Sequence, residues 1–87
     1  MYYVYLLKGI KNNNIYMGYT SNLRRRIAEH LAGKTYTTAR MLPVELVYYE
    51  SYKVKEDATK REKQLKQYGA AYGHLKRRIG ECLKSAG

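Results

Sequence analysis

Ile15-Tyr16-Met17-Gly18-Tyr19-Thr20-Ser21-Asn22-Leu23-Arg24-Arg25-Arg26-Ile27-Ala28-Glu29-His30 reads as a short strand, a turn and the opening of a basic helix. Ser21 or Asn22 can cap that helix, Leu23, Ile27 and Leu31 recur every fourth position as a buried stripe, and Gly33 stands where a helix stop belongs. A helix over roughly 22–32 follows. On a helical wheel Arg26 and His30 flank the stripe on one margin, Arg24 lies beyond the other, and Arg25 points most plainly to solvent. A solvated basic face with a histidine at the core edge accounts for the same spacing, since charge runs are usually solvated.

Outward from this stretch, Tyr2-Tyr3-Val4-Tyr5-Leu6-Leu7 is aromatic and β-branched. It is joined to Ile15–Tyr19 through the turn-forming Lys11-Asn12-Asn13-Asn14, which predicts a hairpin. A polar loop over 34–43 precedes a third strand over 44–52. The Lys-, Glu- and Gln-rich segment 55–68 ends at Gly69, and Tyr72, Leu75, Ile79 and Leu83 mark a last amphipathic helix. The expected fold class is α+β: one domain over 1–87, a small three-stranded antiparallel sheet flanked by three helices.

Composition narrows the function classes. With 87 residues the chain suits one small core, and an apolar share of 45% is enough to form it. Seventeen Lys and Arg against 7 Asp and Glu leave a formal charge of +10, which points to a polyanion, either nucleic acid or an acidic membrane surface. All 11 aromatic residues are tyrosines. Without Trp or Phe to anchor a basic helix, the membrane surface is the weaker choice. No apolar run approaches the ~18 residues of a membrane span. Cys82 is the lone cysteine, so no internal disulfide forms, and its simplest role is a small buried apolar side chain. The expected location is cytoplasmic. One Cys with two His falls short of a structural zinc site. Ala28-Glu29-His30-Leu31-Ala32-Gly33-Lys34-Thr35 approaches a phosphate-binding loop, yet it begins on Ala28 where that loop needs Gly, and it closes a helix instead of opening one.

Glu62 is the second anomaly. In Ala58-Thr59-Lys60-Arg61-Glu62-Lys63-Gln64-Leu65 it falls within the apolar stripe that Ala58 and Leu65 define. A carboxylate facing a core is costly unless paired or bound to a cation, so Glu62 is either a metal ligand or acid–base group, or a carboxylate that pairs with a neighbouring Arg or snorkels to solvent. Arg24, Arg25, Lys34, Arg40, Lys76 and Arg77 are the candidate DNA contacts. Lys76 and Arg77, with Arg78, could also present a helix pair to phosphates in a non-catalytic DNA-binding module.

These elements resemble the GIY-YIG nuclease family. Val4-Tyr5-Leu6-Leu7 matches a first motif ending in tyrosine, and Tyr16-Met17-Gly18, eleven residues after Tyr5, matches Tyr-Ile-Gly with Met17 in place of Ile. Arg26, ten residues beyond Tyr16, matches the catalytic arginine, His30 the His or Tyr one turn later, and Glu62 the metal-binding glutamate. Gly33, Tyr36-Thr37, Arg40, Pro43 and Leu46-Val47-Tyr48-Tyr49-Glu50 are similar to small stand-alone bacterial members. Tyr19 stands where repair-type members carry Lys, and no Asn follows Asn22. The resemblance implies an endonuclease that hydrolyses DNA, branched or damaged DNA in repair or recombination included, with Mg²⁺ or Mn²⁺ as cofactor. Tyr5, Tyr16, Arg26, His30 and Glu62 would be its catalytic residues, with Tyr5 ahead of Tyr16 as proton acceptor. A partner protein or a homo-oligomer would supply substrate specificity.

Overall fold

A computed structural model of the chain describes residues 1–67 and 69–85, those at 82, 84 and 85 as backbone only. The run that reads as most β-prone becomes the centre of the sheet. Strand β1 (Tyr2–Gly9) pairs antiparallel with β2 (Ile15–Thr20) on one side and with β3 (Val44–Tyr52) on the other. Both faces of β1 are covered, and Val4 through Gly9 are all buried, which is why its sequence runs apolar with little alternation.

Helices cover both faces of the sheet. On the Tyr5 face lie α1 (Leu23–Leu31) and the short α2 (Tyr36–Ala39), where Leu23 and Ile27 pack against Tyr5, Leu7, Met41 and Val44. On the opposite face, α3 (Lys55–Lys66) and α4 (Ala70–Arg78) bring Ala58, Leu65 and Leu75 onto Val4, Leu6 and Met17. The last expected helix is in two pieces: Ile79 ends α4, and α5 (Gly80–Ser85) resumes at a residue that weakens helices. The 34–43 loop contains α2, which the turn-rich composition concealed. The proposed end of α3 at Tyr68 and the burial of Cys82 lie outside the described residues. Among the described residues no helix is long and apolar enough to cross a membrane.

Helix α1 shows how local chemistry sets the ends of an element. The Asn22 side chain accepts from the Arg25 amide at 3.1 Å. At the other end Gly33 takes a φ of 75°, its N–H donates to the His30 carbonyl, and the Lys34 N–H donates to that of Glu29. That paired closure needs a left-handed residue, which glycine adopts without steric cost. The buried stripe differs from the expected one: Leu31 is 54% exposed and His30 is fully buried. A histidine bonded at both ring nitrogens loses little on burial, and this one is.

Strand β3 carries a bulge. Leu6 faces Tyr48 but Leu7 faces Leu46, so Val47 is the extra residue. Beyond the bulge Tyr48 and Tyr52 pack toward α3 and bring Glu50 with them, while Tyr49 stays on the Tyr5 face and is half exposed.

Candidate active site

Tyr5 comes from the centre of β1 and lies across Gly18, its direct partner on β2. A Cβ on Gly18 would sit 2.3 Å from the Tyr5 hydroxyl, so the glycine of the second motif makes room for the ring of the first. Tyr16 on β2 and His30 on α1 complete a cluster of three rings. Centroids are 6.3 Å apart for Tyr5 and Tyr16, 5.6 Å for Tyr5 and His30, and 5.1 Å for Tyr16 and His30.

Hydrogen bonds run in a line through this cluster. The Tyr5 hydroxyl lies 2.7 Å from His30 Nε2, and His30 Nδ1 lies 2.7 Å from Thr38 Oγ1 on α2. The Thr38 hydroxyl donates to the Thr35 carbonyl at 3.5 Å, so it accepts from His30 Nδ1–H. Nε2 is then a lone pair that accepts the Tyr5 proton. Electrostatics agree with that assignment. Burial pushes the Tyr5 phenol up to about 12, only partly opposed by Arg26. Burial, followed by the Arg26 charge, lowers His30 from its usual value, against a smaller opposing pull from Glu29. The phenol keeps its proton and the imidazole is neutral.

Arg26 acts on Tyr5 as both hydrogen-bonding and electrostatic neighbour, and its Nη1 donates to Glu29 Oε1 at 3.1 Å. Both contacts hold its guanidinium above the usual range. Arg25 is 77% exposed and reaches Glu29 only at 3.5 Å. Arg25 and Arg26 share a groove of about 370 Å³ with Tyr19 and Thr20. Glu62, on α3, makes itself felt here through its charge, the smallest of the influences that raise Tyr5. It is partly buried and pairs at 3.2 Å with Lys66, one turn on, rather than with an arginine. The nearby Arg61 is taken by Glu50 in a two-pronged pair at 2.9 and 3.0 Å, to which Tyr48 and Tyr52 also donate.

The structure therefore gathers Tyr5, Tyr16, Arg26 and His30, with Glu62 on α3 acting on Tyr5 through its charge. Arg24, Lys34 and Arg40 are exposed, Arg40 over the Tyr36 ring at 5.8 Å. Lys76, over the Tyr72 ring at 5.4 Å, and Arg77, against His74, stand on α4 across the sheet from α1. Among the described residues no three His, Cys, Asp or Glu side chains converge. The cation chemistry that fits is a single carboxylate with water completing the shell, which is the habit of Mg²⁺.

Thr38 was not a sequence candidate, because nothing in a polar loop marks one threonine as a histidine's partner. Thr38→Val should leave His30 Nδ1–H buried without an acceptor and lower stability by about 1–3 kcal/mol, while Thr38→Ser restores it. Thermal melts of the two variants check this; equal stability of Val and Ser would remove Thr38 from the line.

The first 76 residues match the family described as the GIY-YIG catalytic domain. The chain is 46% identical over 69 residues to a UPF0213 protein of Staphylococcus haemolyticus, covering 77% of this chain and 82% of that one. It is 43% identical over 72 residues to one of Natronomonas pharaonis, with 80% and 82% covered. The solution structure of a UPF0213 protein from Bacillus halodurans is 39% identical, covers 98% of this chain and 84% of its own, and superposes with a TM-score of 0.48.

Proposed function

The chain belongs to the GIY-YIG family, and from that premise we propose that it is a Mg²⁺-dependent endonuclease hydrolysing phosphodiester bonds in DNA. The observation that carries this reading is the buried line Tyr5–His30–Thr38 beside Arg26.

Hydrolysis requires a water to lose a proton as it attacks phosphorus. With its pKa near 12, Tyr5 is not a standing phenolate at neutral pH, so it cannot act as a simple base. It can act as a relay. As its oxygen takes the proton of the attacking water, its own proton passes to the His30 Nε2 lone pair 2.7 Å away, and Nδ1–H stays on Thr38. The imidazole is neutral at the start and hence able to receive it. Arg26, held by Glu29 on one side, has further N–H donors for the oxygens of the scissile phosphate. Tyr16 packs on both relay rings and serves to orient the water. Glu62 would hold Mg²⁺, with water and phosphate oxygens filling the other positions. When bound, the ion supplies charge stabilisation at the phosphate and the leaving oxygen.

Incubation with plasmid and branched DNA in Mg²⁺ or in EDTA tests the reading in one gel. Strand breaks are expected only with Mg²⁺. Binding without breaks in either condition would favour the non-catalytic module built on α3 and α4.

A further inference from the structure

Helix α1 leaves part of the Tyr5 face open. Between it and β3 runs a second groove of about 510 Å³, within the ~300–1,000 Å³ of typical ligand sites. Tyr3 and Tyr49 line it as an edge-to-face pair with centroids 6.1 Å apart, and Tyr49 is 52% exposed. Leu23 supplies an apolar wall and Arg24 the cation, and no carboxylate is among the lining residues. Ser21 and Asn22 belong both to this groove and to the one that holds Arg26. The two grooves thus share a rim at the start of α1.

We propose that this groove is a subsite for an unpaired nucleotide of the DNA strand, its base stacked on Tyr49 and a flanking phosphate on Arg24. The proposal rests on the DNA reading of the neighbouring site and narrows it. Tyr49 leaves half of its surface to solvent, and a tyrosine ring beside a cation is the combination that binds single strands without regard to sequence. A strand clamped at Arg26 runs past Ser21 and Asn22 directly into the groove. One cation and no carboxylate in the lining favour a phosphodiester over a neutral or basic protein surface, and the exposed tyrosine ring favours a nucleotide base over an acidic side chain. A base within an intact duplex has its faces covered by its neighbours and cannot reach Tyr49. The favoured substrates are therefore DNAs with an unpaired stretch beside the cut: flaps, gaps and forks.

The test is equilibrium binding in EDTA, so that it does not depend on cleavage, using fluorescent oligothymidylate and a duplex of the same length. Tyr49→Ala should weaken single-strand binding about tenfold and change duplex binding by less than about twofold. Tyr49→Phe, which keeps the ring, should bind as the native chain does. Moving one abasic residue along the oligonucleotide should reveal a position where loss of the base costs the native chain about tenfold and the Tyr49→Ala variant nothing further. Additive losses, an equal effect on single strand and duplex, or no effect of Tyr49→Ala would overturn the subsite. Cleavage in Mg²⁺ would still stand on its own, since duplex DNA can be cut without it. If the Mg²⁺ gel shows no breaks but these binding results hold, the nuclease reading fails and the subsite does not.

Discussion

Arg26→Lys should lower cleavage by about two to three orders of magnitude while Arg25→Lys stays within about twofold of the native rate. Both changes keep the charge and therefore the long-range attraction for DNA. They differ in what the guanidinium touches. Arg25 is 77% exposed and makes one long contact to Glu29, and exposed pairs of this kind contribute little because solvent screens them. Arg26 is 37% exposed, donates to Glu29 at 3.1 Å and acts on the Tyr5 phenol, so its planar fork is fixed on two sides. A lysine ammonium is a single point that cannot hold Glu29, Tyr5 and a phosphate at once. Initial rates on one DNA substrate, with binding measured in EDTA, separate the two. Equal rates for both variants would reduce the arginine run to a general basic face.

The outline of the fold was legible because it depends on local signals. A continuous apolar run gave β1, alternation and turn residues gave the hairpin, and Asn22 and Gly33 bounded α1 within a residue or two of where their hydrogen bonds place them. What was not legible depends on partners distant in sequence. Helical periodicity selected Leu31 for the buried stripe and left His30 at its margin, whereas Tyr5 and Thr38, 25 and 8 residues away, reverse that order. Glu50 read as one polar residue of a strand. The bulge at Val47, set by pairing with β1, turns it inward onto Arg61. The hydrophobic wheel did identify a carboxylate on the inner side of α3. It could not say that the neighbouring arginine belongs to Glu50 and that Glu62 pairs with Lys66 instead.

This division between two carboxylates sets the other large effect expected, for Glu62→Gln. The only ion pair Glu62 makes among the described residues is with Lys66, one turn away and half exposed, a pairing worth roughly 0.2–0.5 kcal/mol. Its loss should move the melting temperature by no more than about 4 °C in either direction. DNA affinity in EDTA should stay level or rise, because a negative charge leaves the phosphate site. Cleavage in Mg²⁺ should fall by about two or more orders of magnitude, since an amide cannot replace the carboxylate charge that would hold the ion, and Glu29 is engaged by Arg25 and Arg26. Glu50→Gln is the counter-experiment. It leaves Arg61, whose side chain is mostly buried and held at two points, short of its charge partner, and turns one of the two accepting oxygens into a donor, so that one tyrosine hydroxyl and one guanidinium N–H lose their acceptor. That should cost about 1–3 kcal/mol, a fall of about 5 °C or more, with cleavage below the new melting point largely kept. One carboxylate would then govern stability without turnover and the other turnover without stability. A stable Glu62→Gln variant that still cuts at near the native rate would take the metal away from Glu62 and favour the non-catalytic binding module.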